Sequence, residues 1–189
     1  MSEDYILITE RLGLREWKEK DAPPFIQMNL DLEVMHYFPR LLTPKESLEL
    51  IERIKAHFKK YTYGLYAVDH MASGRFIGFI GLAEISFEAD FTPAMEIGWR
   101  LAVDFWNKGY ATEGAKAVMK LAFEQKKLEK LVSITAKLNK PSIRVMEKIG
   151  LKAAGEFNHP KLDPLDPLNR HVLYQLGREE YFLLLSKQK

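Results

Sequence analysis

Apolar and polar residues alternate over residues 6–17, where Ile6, Ile8, Leu12 and Leu14 fall on the two-residue period of a strand. The period then lengthens. Asp21 followed by Pro23 and Pro24 predicts a helix through residues 27–30, because proline is tolerated only in a helix's first turn. Thr43-Pro44-Lys45-Glu46 is a sharper start: a capping threonine, proline at the first helical position and a glutamate able to bond back. Leu48, Ile51, Ile54 and Phe58 follow it at helical spacing. Residues 64–68, 76–85 and 94–101, separated by polar turns, predict three strands of an antiparallel meander. Ala111, Ala115, Val118, Met119, Ala122 and Phe123 then form one helical stripe. A strand at 131–136, a helix opened by Asn139-Lys140-Pro141-Ser142 and ended by Gly150, and strands at 151–157 and 171–176 complete the pattern. Residues 158–170 hold too much proline and aspartate for regular structure; a binding loop and a disordered spacer both fit them.

Composition narrows the function classes. With 189 residues, 47% of them hydrophobic, the chain suits a single domain over 1–189 with a substantial core. Its net charge of +2, with no basic run interleaved with aromatics, argues against nucleic acid. The absence of cysteine excludes disulfides, thiolate catalysis and cysteine-based metal sites. The histidines at 36, 57, 70, 159 and 171 include no pair at i and i+4, so no metal is expected. The start MSEDYILITERL lacks the features of a signal peptide, and no apolar run approaches membrane-spanning length. The expectation is a cytoplasmic protein with no membrane partner.

The candidate chemistry begins at residues 106–123. Gly109 and Ala111 let backbone approach an anion closely, and the first N–H groups of the following helix have no internal partners. That junction suits a phosphoryl-bearing ligand, although glycine before a helix also serves simply to turn a corner. It is not a Walker loop, since Lys108 precedes the glycine and no Gly-Lys-Ser/Thr follows; nor is it a full dinucleotide fingerprint, since Gly114 stands one residue late.

Four stretches carry a resemblance: TERLGLR at 9–15, MEIGWRL at 95–101 running into FWNKGYATEG at 105–114, LNKPSIRVMEKIGL at 138–151, and HVLYQLGREEY at 171–181. Together they resemble the GNAT superfamily of acetyl-CoA-dependent N-acyltransferases, and within it the ribosomal-protein N-terminal (alanine) acetyltransferase-like branch. The resemblance implies an α+β fold: a twisted mixed sheet of about seven strands, flanked by helices and splayed between residues 95–103 and 131–136. It places acetyl-CoA in the splay, with pantetheine against backbone near Leu101 and Val103, and pyrophosphate on the N–H groups of Lys108, Gly109, Tyr110, Ala111 and Thr112. Asn139 is similar to a residue on the pantetheine side and Ser142 to one near the thioester sulfur, though both also make ordinary helix starts. Glu96 is the first candidate for general base and Glu84 the second; as surface residues, either would instead pair with Arg100 or Arg75. A backbone N–H at a bulge near residues 100–102 is expected to face the thioester oxygen. Two positions depart from the usual pattern: Met146 where many members carry a tyrosine acid, and Trp106 where many carry Gln or Arg.

His36 and Tyr37, within residues 34–38, and the loop at 158–170 are expected to wall the acceptor. The implied activity is acetyl transfer to a primary amine, of a peptide N-terminus or a small molecule, in a ternary complex. A catalytically silent acyl-CoA-binding module is the alternative, and a nucleotide-binding protein a third reading. Exposed edge strands near 151–176 allow a homodimer without requiring one.

Overall fold

The computed structural model describes residues 5–187, so the acidic start at residues 1–4 lies outside the described residues. In chain order the elements are β1 (Leu7–Ile8), β2 (Leu12–Arg15), α1 (Ala22–Leu30), α2 (Pro44–Tyr61), β3 (Leu65–His70), β4 (Arg75–Glu84) and β5 (Met95–Leu101). They continue with α3 (Tyr110–Lys120), β6 (Lys130–Ala136), α4 (Lys140–Lys148), β7 (Lys152–Asn158), β8 (Arg170–Gly177) and α5 (Arg178–Ser186). The strands form one sheet in the order β1-β2-β3-β4-β5-β6-β8-β7. Its neighbours are antiparallel except β5 and β6, which are parallel.

The mixed α+β sheet expected from the sequence is present, with eight strands instead of about seven. The difference arises in residues 6–17, expected as one strand. The chain reverses there: the Thr9 N–H donates to the Leu12 carbonyl at 2.9 Å. Glu113 of α3 stabilises the reversal by accepting from Thr9 Oγ1 at 2.6 Å and from the Arg11 N–H at 2.9 Å. The hairpin pairs Leu7 with Leu14, so the two-residue period runs through the turn unbroken and conceals it.

The two faces of the sheet are covered differently. On one face Phe79 packs with Phe25 of α1 and with Trp17, at ring separations of 6.1 and 6.5 Å. On the other, α3 lies close to the sheet because Gly114 has no Cβ to meet the side chain of Ile80. Ile80, Leu82, Ile97, Ala115, Val118 and Met146 are buried there or beside it, and each fully buried Val, Leu, Ile or Met side chain contributes roughly 1.5–3 kcal/mol. Beyond Lys120 the helix continues as a π turn, Leu121–Gln125. The expected cap of α2 forms: Thr43 Oγ1 accepts from the Glu46 N–H at 3.2 Å while the Glu46 carboxylate accepts from the Thr43 N–H at 2.8 Å.

Two further differences have simple causes. α5 was not expected, because Phe182, Leu183 and Leu185 are exposed and leave no clear apolar stripe; Tyr181 anchors the helix, buried and bonded to Glu124 at 2.8 Å. Of the strands near 151–176 expected at an edge, β8 lies between β6 and β7, and β7 alone stands at the edge.

Candidate active site

The parallel junction of β5 and β6 is short. Glu96 pairs with Val132, and the Ser133 hydroxyl donates to the Ile97 carbonyl at 2.9 Å; past that point the strands have no further register. The C-terminal half of β5 therefore has β4 on one flank and a gap on the other. Ala102 donates to the Ile77 carbonyl, and bonding direction alternates along an antiparallel strand, so Trp99 and Leu101 turn their backbone groups toward the gap.

No bulge accompanies it. The ladder from Gly78–Leu101 to Glu84–Met95 is continuous, which corrects the irregularity expected near residues 100–102. Gly78, at φ +136 and without a Cβ, lets β4 lie directly against the Arg100 carbonyl, so the strands need not part. Trp106 takes up two carbonyls of this segment: its indole N–H donates to Leu101 at 2.7 Å and its backbone N–H to Val103 at 2.9 Å.

The chain then turns through Asn107, at φ +57, and Gly109, at φ +82, into α3. Gly109 is the N-cap and supplies no side-chain acceptor, so the first N–H groups of α3 are left uncapped by a side chain. Over this corner lies Arg11, to which the sequence alone assigned no role. Its Nε donates to Glu113 at 2.7 Å and its Nη1 to the Lys108 carbonyl at 3.0 Å. Its Nη2 would lie 3.5 Å from a Cβ built on Gly109, and the guanidinium sits 4.5 Å above the Tyr110 ring. A left-handed glycine, uncapped helix N–H groups and an adjacent guanidinium fit a pyrophosphate. The gap along β5 fits an extended amide chain. Arg11 could not be read from local spacing, because its partner Glu113 lies in α3, far along the chain.

Glu96, Gly98 and Arg100 project from β5 onto the face covered by α1, since alternate residues share a face and Arg100 pairs with Phe79. Glu96 is half-buried on this face, and loss of hydration raises its carboxyl to about 7 against a hydrogen bond from the Ile134 N–H. Glu84 is not brought to it. Its partner in the ladder is Met95, which puts it on the opposite face, where it accepts from the Tyr61 hydroxyl at 2.8 Å and faces Lys60 at 3.6 Å. Neither carboxylate pairs with the arginine expected for a surface residue: Arg100 Nη1 donates to Asn29 at 2.7 Å and Arg75 faces Asp104 at 3.8 Å.

Asn139 caps α4, accepting from the Ser142 N–H at 3.2 Å and donating to Thr135 Oγ1 at 3.0 Å. This bears out their helix-start role and places both just beyond the end of β6. Met146 is fully buried in the core and has no proton to donate. His36 is exposed and Tyr37 half-buried, packed edge-to-face at 4.7 Å; the residue of that segment lying over the site is Phe38, whose ring covers the Arg100 guanidinium at 4.0 Å.

The loop at 158–170 is ordered by buried Asn169, which donates to the His159 and Leu162 carbonyls at 3.2 Å each. It carries His159 against His171 at 4.8 Å, next to Phe157 and Phe87. Burial lowers both imidazoles from their ordinary range. This aromatic wall lies on the Glu96 face, because Val132, Ile134 and Ala136 pair in turn with Gln175, Leu173 and His171.

The chain has relatives among known proteins. The chain is 34% identical over 185 residues to the FsC-acetyl coenzyme A-N(2)-transacetylase of Aspergillus fumigatus, covering 93% of this chain and 77% of that protein. It is 30% identical over 153 residues to the uncharacterized N-acetyltransferase YnaD of Bacillus subtilis, covering 80% and 85%. The crystal structure of a GNAT-family acetyltransferase from Bacillus anthracis superposes with a TM-score of 0.75 at 27% identity, covering 92% and 99%. Residues 11–152 match the family described as acetyltransferase (GNAT) domain, and with that match the chain belongs to the GNAT acetyltransferases, enzymes that move an acetyl group to an amine.

Proposed function

We propose that this enzyme acetylates a primary amine, of a peptide N-terminus or a small molecule, by direct attack within a ternary complex whose base is Glu96. The observation that carries the reading is the placement of Glu96 at the one point where β5 still holds β6, on the face opposite α3 and beside the gap. An alkylammonium has a pKa of about 10.4 and no lone pair. A carboxylate poised near 7 accepts its proton at neutral pH, typically worth 10²- to 10⁴-fold in rate.

Acetyl-CoA, held along the gap and at the corner, supplies an activated acetyl thioester. Arg11 and the N–H groups of Gly109, Tyr110, Ala111 and Thr112 face the pyrophosphate, with Lys108 at the rim. Trp106 already occupies the carbonyls of Leu101 and Val103, so these residues offer the pantetheine their N–H groups. The Trp99 N–H is the candidate donor to the developing negative charge. Asn139 and Ser142 border the far side, and the Ser142 hydroxyl is the candidate to meet a departing thiolate. The thiolate's own pKa, near the cysteine value of about 8.5, lowers the need for an acid. Phe38 on one side and the aromatic wall on the other enclose the acceptor.

Calorimetric titration with acetyl-CoA and with coenzyme A tests the reading before any amine is tried. Micromolar binding that Gly109→Val weakens at least tenfold is the expected result, followed by thiol release with an amine panel that Glu96→Gln suppresses. Undetectable binding at high micromolar cofactor would overturn it, and binding without turnover of any amine would leave a cofactor-binding module.

A further inference from the structure

Arg100 is a cation without an anion. Its Nη1 donates to the neutral Asn29 amide at 2.7 Å, and that amide is buried and committed on its other side to Ser47 Oγ at 3.0 Å. The Nε is sealed from solvent and has no hydrogen-bond partner, and none of the ion pairs among the described residues involves this guanidinium. The rings of Phe38 and Phe79 lie 4.0 and 5.4 Å from it. They partly compensate the charge through their π faces but accept no N–H in its plane. Leaving a buried charged donor unpaired is costly, and the fold had a ready alternative, because any long apolar side chain would fill the same space.

The surroundings also lead from Arg100 to the base. Gly98 lies between Glu96 and Arg100 on the same strand face. A Cβ built there would meet nothing within 4 Å except Glu96 Oε1, at 3.9 Å. The strand floor is therefore bare between the two residues, with a carboxylate at one end and a guanidinium at the other. At about 3.3 Å per residue, their Cα atoms stand about 13 Å apart. Both residues keep part of their surface accessible to solvent.

We propose that Arg100 is a specificity-determining residue that receives a carboxylate of the acceptor, so that the preferred substrate is an amine carrying an acid a few extended residues away. This rests on the acetyltransferase reading of the site and names the acceptor class for it. The amine lies at Glu96, the chain of the acceptor runs over Gly98, and its carboxylate bonds Arg100 with charge assistance. A polyamine is disfavoured, because its second ammonium would approach the guanidinium. The carboxylate has two sources: an acidic side chain near a peptide N-terminus, or the acid group of a free amino acid.

The test measures binding as well as turnover. N-acetylated tetrapeptides with Glu or Gln at the second, third or fourth position, and N-acetylated ω-amino acids of five to eight carbons with their amides, are titrated into the full-length protein saturated with coenzyme A. The unacetylated forms and spermidine are then assayed with acetyl-CoA. The expected result is at least a tenfold preference for carboxylate over amide at one length, in both binding and kcat/KM, which collapses to less than threefold in Arg100→Gln. The peptide and amino-acid series tell which source applies. Equal binding of acid and amide at every length in the wild type overturns the proposal, as does a preference that survives Arg100→Gln. Should Arg100→Gln fail to bind coenzyme A, Asn29→Ala and Arg100→Lys serve in its place, with the same collapse expected in part. If no amine turns over while the carboxylate preference in binding persists, the catalytic reading fails and the role of Arg100 stands.

Discussion

Two arginines stand in one row across the same face of the sheet: Arg15 on β2 is in register with Ala67, Ala67 with Phe79, and Phe79 with Arg100. Arg15 is 1% exposed and held by Asp21 at 2.7 Å and Asp69 at 2.8 Å. Burial works against its charge, but hydrogen bonds to the two aspartates outweigh it and raise the guanidinium above its ordinary value. Arg100 has a neutral amide for a partner, and burial lowers it to about 10. Four residues from it, Glu96 is half-buried and has no counter-ion among the described residues. The difference is one of purpose. The β2–β3 end of the sheet is electrostatically closed and serves as scaffold, whereas the β5–β6 end holds charges that the chain itself does not satisfy. These unsatisfied groups beside the gap are the ones we propose a substrate completes.

The largest effect expected is on catalysis at the open end. Glu96→Gln lowers kcat by 10²- to 10⁴-fold while calorimetry shows acetyl-CoA affinity unchanged within threefold. The same variant changes the pH response. Wild-type kcat/KM rises through an inflection near pH 7 as the carboxylate ionises, and the inflection is absent in Glu96→Gln. Because the folded carboxyl ionises above its unfolded value of about 4.3, the free protein loses stability as pH rises from there to about 7. That slope also disappears in the variant.

At the closed end the cost falls on folding. Asp69→Asn leaves Arg15 short of one counter-charge and lowers stability in urea by roughly 3–5 kcal/mol. Arg100→Met removes a charge that had no counter-ion and changes stability by less than about 1.5 kcal/mol. Equal losses in the two variants would show that Arg100 is scaffold as well, and the comparison would collapse.

Smaller effects sharpen the boundary. Gly109→Val places a β-branched residue at φ +82, costing about 1–2 kcal/mol of stability together with the loss of acetyl-CoA affinity. Smallest is Glu84→Gln, whose partners Tyr61 and Lys60 lie at the surface on the other face. It shifts stability by less than about 1 kcal/mol and kcat by less than twofold.

The fold was legible where the pattern was local. The cap at Thr43, the meander of β3 to β5, the glycine corner before α3 and the Asn139 cap are each written in a few consecutive residues, and each formed as expected. The hairpin at residues 9–12 was not legible, since its register preserves the two-residue period, and neither was α5, where Phe182, Leu183 and Leu185 face outward. Within the site, Glu96 and the corner were visible from the motifs around them. Arg11 and Asn29 were not, because what defines each is a partner on another element.

The sequence by itself determined most of the strands and helices, the family they build and the glycine corner that we propose takes an anion, because periodicity, caps and glycines act over a few residues. Tertiary structure alone decided which charges are answered. Arg15 and Arg100 are the same residue type, both on strands; register and the segments above them gave one two aspartates and the other an amide and two rings. Burial and partnership are set by elements distant in the chain, and on them rests the division between the scaffold and the site.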